Sequence, residues 1–174
     1  MTVTAARTPT TLTWANFSPQ PSVVDPRDGT VVDAFTTFDF FMLTSPLIVS
    51  AGGRFRVNPA LVISLVPLAL VADGTSQTAA LLAHEQSHYD VVFVIARQLA
   101  RDLNVIDDAT EAGLRKRMTD LTTLHFTTRA GLIQARYDRE SNHGLNAHFQ
   151  NYWSNQMAKC LANAQASEIG GWML

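Results

Sequence analysis

The residues best able to do chemistry in this chain are His84-Glu85-Gln86-Ser87-His88. On a helix, two histidines four apart point the same way, one turn from each other, and can share a single cation. A zinc-bound water attacks an amide only if three protein ligands hold the ion and leave one position open. A carboxylate beside the first ligand, here Glu85, then reaches that water as general base. The bare pattern arises by chance in about one chain in a hundred of this length. The competing reading is a pair of core histidines bonded locally. Against it stands the context: both imidazoles fall on an apolar stripe beside Leu81 and Val91. Two unsatisfied polar rings there would cost several kcal/mol, a cost that a metal removes.

A third ligand is expected from Tyr137-Asp138-Arg139-Glu140-Ser141-Asn142-His143-Gly144, where Asp, Glu and His gather at a helix end. His143 ranks first, because it precedes Gly144 at a helix break where the backbone can bring an imidazole close to an ion. Asp138 ranks second, since zinc accepts a carboxylate oxygen, and Glu140 third. His125 and His148 lie on helices and read as packed or solvent-facing histidines. Tyr137, or else Tyr89, is assigned to stabilise the oxyanion of a tetrahedral intermediate. Asp90 is expected to orient a ligand or to pair with Arg97 or Arg139.

The elements that must position these groups change character along the chain. From Thr11 to about Ala72 the sequence is β-branched, aromatic and punctuated by Pro and Gly, which predicts short strands. The candidates are Val31–Leu43 with a break, Leu47–Val49, Arg54–Val57 and Leu61–Val71, with turns at Asp25-Pro26-Arg27-Asp28-Gly29 and Ala51-Gly52-Gly53. Residues 1–10 read as a loose tail. A first helix is predicted from Thr75 or Ser76 to Leu103, with Leu81, His84, His88, Val91, Ile95 and Leu99 on one face. A second begins with Asp108 as N-cap and Glu111 three residues on. Its stripe is Leu114, Met118, Leu121, His125, Thr128, Leu132 and Ala135, and it ends near Glu140. A third covers Asn146 to Ala164 and presents Phe149, Trp153, Met157 and Leu161. The expected fold is α+β, a single domain over residues 1–174. A small, mostly antiparallel sheet packs on about three helices, zincin-like, with the motif on the first long helix.

Composition excludes several classes. Hydrophobic residues make up 47% of the 174 and charged residues 16%, a globular balance. The net charge of −2, with the basic residues scattered, leaves no footprint for nucleic acid. Cys160 is the single cysteine, so no internal disulfide or cysteine-clustered metal site exists, and its neighbours suggest a packed, inert thiol. Met1–Thr13 lacks the apolar core of a signal peptide. The most apolar run, Ala60–Val71, contains a proline and is too short to span a bilayer.

Leu81-Leu82-Ala83-His84-Glu85-Gln86-Ser87-His88-Tyr89-Asp90, with the later Tyr137–Gly144 segment, resembles the bacterial domain-of-unknown-function family 922, described as predicted secreted zinc-dependent proteases. That family reads close to HEQGHFD at the first site and YD-x-ET-x-HG at the second, with a Gln and a Trp soon after. Gln150 and Trp153 match that tail, and Leu12-Thr13-Trp14-Ala15-Asn16-Phe17 resembles its opening L-T-W-x-x-F. Ser87 stands for Gly, Tyr89 for Phe and Ser141 for Thr; none of these removes a ligand or the base. The resemblance implies zinc, a protein or peptide substrate, and a secreted or periplasmic location, although no leader is visible. It also implies that the Tyr137–Gly144 cluster belongs to the site. His143-Gly144 followed by Phe149 is similar in texture, though not in spacing, to the third-ligand segment of SprT-like metallopeptidases. The expected function is therefore a zinc metallopeptidase. The alternatives are a zinc amidase acting on cell-wall peptides, an inactive zinc-binding peptidase-like interaction domain, and a metal-free globular domain.

Overall fold

A computed structural model describes residues 1–174. Strands fill the first part of the chain: β1 (Thr4–Arg7), β2 (Phe17–Gln20), β3 (Val23–Val24), β4 (Val31–Val32), β5 (Ala34–Leu43), β6 (Ile48–Ala51), β7 (Arg54–Val57) and β8 (Val62–Ala72). Helix α1 (Ala79–Val105) follows, then the short β9 (Asp107–Asp108) and helix α2 (Glu111–Thr122). A π-helical stretch, Thr123–Arg129, joins α2 to α3 (Ala130–Ser141) without a break. Helix α4 (Ala147–Ala162) and a hairpin of β10 (Glu168–Ile169) and β11 (Trp172–Met173) complete the chain. The division into a strand half and a helix half is that of an α+β fold, with three helical rods and several small sheets. No helix is long and apolar enough to cross a membrane.

Strand β8 is the hub of the main sheet. One edge pairs antiparallel with β5 over ten residues, from Ala34↔Val71 to Leu43↔Val62. The other edge takes β1 and β2 end to end, both parallel: Thr4↔Val62 to Arg7↔Leu65, then Phe17↔Ala69 to Gln20↔Ala72. Two expectations are corrected here. The main sheet is mixed rather than mostly antiparallel, and residues 1–10 are not a loose tail. A strand as long as β8 has a second row of backbone donors and acceptors to satisfy, and the N-terminal segment supplies partners for part of it. Arg7 also forms an ion pair with Asp90 of α1, and Val3 is buried. The smaller antiparallel pieces are β3–β4, β6–β7–β9 and β10–β11.

Helix α1 is buried on two sides. Tyr89, Val92, Ala96, Leu99 and Leu103 pack on Ile63, Leu65, Ala69 and Val71 of the sheet. Val91, Val94 and Ile95 pack on Ile133, Tyr137, Trp153 and Met157 of the other helices. A helix apolar on more than one stripe is a central layer, which the single-stripe reading understated. Its first turn is capped by Thr78, whose Oγ1 accepts from the Leu81 N–H at 3.1 Å, so it starts later than Thr75 or Ser76. The N-cap of α2 is Thr110, accepting from the Gly113 N–H at 3.0 Å; Asp108 instead accepts from the Thr110 N–H, also at 3.0 Å. Cys160 is a buried free thiol bonded to the Glu168 carbonyl.

The π stretch corrects the second predicted stripe. A π turn spends one more residue per hydrogen-bonded ring than an α turn, so the buried face slips by one position. Up to His125 the expected stripe holds; beyond it Thr128, Leu132 and Ala135 are exposed, while Ala130, Ile133, Tyr137 and Asp138 are buried. Phe126, inside the π stretch, is anchored by the rings of Phe38 and Phe40 at 5.1 and 4.8 Å.

His125 is fully buried, with Nε2 2.7 Å from Asp102 Oδ2. Burial pushes its imidazolium down; Asp102 opposes this, Arg129 and Arg101 add to it, and the net direction is down. The unfolded chain therefore binds this proton more readily, so the stabilising contribution is present above about pH 6.5 and is lost as pH falls. Between about pH 7 and pH 5, the denaturant midpoint of the wild type should decline relative to that of His125→Asn as pH falls.

Candidate metal centre

Helices α1 and α3 cross so that three donor atoms face one point. His84 Nε2 and His88 Nε2 are 3.2 Å apart, and Asp138 Oδ1 lies 3.2 Å from the first and 2.8 Å from the second. A tetrahedral zinc ion with bonds near 2.0–2.1 Å needs ligand atoms about 3.3 Å apart. The observed triangle matches one face of that tetrahedron to within about half an ångström. All three residues are buried, at 2%, 3% and 5% exposure. Both Asp138 oxygens lack a hydrogen bond of good geometry despite their close neighbours, and His88 Nδ1 and Glu85 Oε2 are likewise buried without a partner. Two imidazoles converging on a carboxylate whose oxygens stay without a well-formed hydrogen bond are a donor set suited to a divalent cation.

Neighbouring groups fix this arrangement. His84 Nδ1 faces Gln150 Oε1 of α4 at 3.3 Å, and the same oxygen accepts from the Tyr137 hydroxyl at 2.8 Å. With Nδ1 carrying the proton, Nε2 of His84 keeps its lone pair for a metal, the usual way an outer partner sets a ligand's tautomer. The Tyr137 ring stacks on His84 at 4.7 Å between centroids and meets His88 edge-on at 5.0 Å. Burial works to raise the Asp138 carboxyl, but His88, His84 and Arg27 outweigh it and hold the group well below the usual carboxylate range. Burial works to lower the His88 imidazolium, and the nearby Asp138 charge outweighs it, so the net direction is up. Burial pushes the Tyr137 hydroxyl far above its ordinary value.

The other expected residues separate. His143 stands at the rim, with Nδ1 3.9 Å from Asp138 Oδ1 and a side chain 38% exposed. His84, Asp138 and His143 each place a ligand atom within 4.8 Å of the others. The first-ranked third ligand is thus close, but the second-ranked Asp138 is the one in contact with both motif histidines. Glu140 is turned away, its oxygens engaged by Arg136 Nε at 2.6 Å and Trp153 Nε1 at 2.9 Å. Tyr137 donates to Gln150 rather than toward the cleft, so it holds His84 and does not meet an oxyanion. Tyr89 lies on the opposite face of α1, donating to the Leu65 carbonyl at 2.9 Å. Asp90 pairs with Arg7 rather than Arg97 or Arg139. His125 is held by Asp102, and His148 packs beside Phe149 away from the site.

A cleft of about 620 Å³ opens over the donor atoms, and Glu85 lines it together with His84, His88, Asp138 and His143. Its opposite wall is built by residues 30–35, which include β4. Two residues of the site, Arg27 and Asp25, carried no signal of this role, since they belong to what reads only as a turn; Gln150 was marked by its match, with Trp153, to the tail of the family resemblance, but without a role. Arg27 Nη2 lies 2.6 Å from Asp138 Oδ2.

The loop after α3 explains how His143 and Gly144 come to the rim. Asn142, His143 and Gly144 all adopt left-handed backbone, with φ of 49°, 51° and 83°. A Cβ on Gly144 would sit 3.2 Å from His84 Cβ and Cγ. Gly144→Ala should therefore cost about 1–3 kcal/mol and shift His84. Gly131→Ala, in α3 with nothing within 4 Å of the new methyl, should be neutral or stabilising by up to about 1 kcal/mol. Urea titration of both variants beside the wild type checks both.

Compared with protein-family models, with curated proteins and with solved structures, the chain matches none.

Proposed function

We propose that this chain is a zinc-dependent metallopeptidase in which His84, His88 and Asp138 hold the ion and Glu85 is the general base. The observation that carries the reading is the triangle of Nε2, Nε2 and Oδ1 atoms, buried at the floor of a cleft that Glu85 also lines. When bound, zinc supplies polarisation of the scissile carbonyl and a lowered pKa for its water. Glu85, buried with Oε2 unpartnered, takes the proton of the attacking water and passes it to the leaving amine. Gln150 and Tyr137 hold His84 in one tautomer and orientation through the cycle. The cleft wall at β4 has only β3 as a strand neighbour, so an extended peptide can add along its free edge by backbone pairing.

One observation favours a second reading. His143 places a ligand atom within 4.8 Å of those of His84 and Asp138, so a shift of its half-exposed side chain would add a fourth ligand, and a closed sphere belongs to a structural zinc rather than a catalytic one. Metal content and casein cleavage, measured on the wild type and four variants, separate the two. For a peptidase, Glu85→Gln keeps one zinc and loses at least about 100-fold in turnover. His88→Ala and Asp138→Ala lose the metal, and His143→Ala retains it. Loss of zinc from His143→Ala together with an inactive wild type would establish the structural reading instead.

A further inference from the structure

The contact between Arg27 and Asp138 is more organised than an ordinary ion pair. The turn that carries Arg27 closes around Asp25, whose backbone N–H donates to the Thr30 carbonyl and whose carbonyl accepts from the Gly29 N–H, both at 2.8 Å. Asp25 Oδ1 accepts from the Arg27 backbone N–H at 2.8 Å. The same carboxylate, 2% exposed, takes Arg27 Nε at 2.9 Å on Oδ1 and Nη2 at 2.5 Å on Oδ2. The guanidinium also lies 5.6 Å from the centre of the Phe35 ring. Its direction is thus set from the β3–β4 turn before it meets α3.

Held in this way, Nη2 stands 2.6 Å from Asp138 Oδ2, while Oδ1 of the same carboxylate faces the two imidazoles at 2.8 and 3.2 Å. The two oxygens of Asp138 therefore have different neighbours. A carboxylate free on both oxygens can grip a cation with one or with two, and the second oxygen would occupy the position a reacting water needs. We propose that Arg27, anchored by Asp25, is a positioning residue that engages Asp138 Oδ2 and so makes Asp138 a one-oxygen ligand through Oδ1. This rests on the metal reading given above. Lysine is a poor substitute, because an ammonium is a point charge without the planar fork that bridges two carboxylates.

Cobalt(II), whose visible absorption reports coordination number, is the probe for the full chain, with zinc as competitor. The wild type is expected to bind Co²⁺, release it to Zn²⁺, and give the intense absorption of a four-coordinate site. Arg27→Gln should bind about 10–100-fold more weakly, and at saturation its absorption should weaken toward the five-coordinate pattern. Asp25→Asn, which keeps Arg27 but loosens its anchor, should move both readouts the same way by less. Arg27→Lys should regain part of the affinity without regaining the spectrum. Urea melts of the metal-free variants check the fold; if Arg27→Gln does not fold, Asp25→Asn and Arg27→Lys carry the comparison. Wild-type affinity and spectrum in the variants that fold overturn the inference, and so does weaker binding with an unchanged saturated spectrum. A wild type that takes up neither Co²⁺ nor Zn²⁺ overturns the metal reading itself, a distinct result.

Discussion

Two imidazoles and a carboxylate meet in the interior of this protein at hydrogen-bond distances, and both carboxylate oxygens are buried without a well-formed hydrogen bond. An isolated buried carboxylate is costly enough that it must be compensated by charge, by donors or by a cation. Here part of that compensation comes from Arg27, brought from a turn in the strand half of the chain. The helical half supplies Gln150 and Tyr137 to fix the orientation of His84. The centre is thus one place where the two halves of the fold are tied to each other, and its polar cost is a constraint to which the elements around it conform.

Helix α1 shows how the positioning is shared between its faces. Of the residues between the two histidines, Glu85 lines the cleft, while Gln86 serves the other side of the helix. Gln86 accepts from the Leu12 N–H at 2.6 Å and donates to Asp90 Oδ1 at 2.7 Å, and Asp90 holds Arg7 of β1. Tyr89, one residue past His88, bonds to a carbonyl of β8. The turn that carries the ligands is therefore locked to the sheet from behind while it presents imidazoles in front. Such support from rigid elements keeps a site within tight tolerances.

How far the sequence could be read depended on the range of the interaction. His84, Glu85 and His88 are legible because their geometry is local to one helix. So are the strand-to-helix switch and the bounds of β7, which follow from alternation and turn residues. The choice between Asp138 and His143 was not legible, because it depends on the phase of the helix that bears Asp138. A single π turn near His125 moves that phase by one residue, and hydrophobic spacing alone does not announce it. Past that turn, regular α spacing would have turned Leu132 inward; the observed phase turns in Ile133, Tyr137 and Asp138. Asp25 and Arg27 were missed for another reason. Their partner lies on the far side of the chain, and only the folded arrangement brings the turn to it. The four residues of β1 are too few to show a period, and their pairing partner is β8.

The pairing of β1 with β8 also governs the order in which the molecule can assemble. Strand β1 is made before its ladder partners, Val62 to Leu65, which follow only after the whole of β2 to β7. Its ionic partner Asp90 comes later still. Until then the opening segment must wait unpaired, and closing so long a loop is slow compared with forming a local hairpin. The part of the backing behind His84 and His88 that runs through Arg7 and Asp90 therefore waits on the docking of β1, whereas the Tyr89 bond to β8 does not.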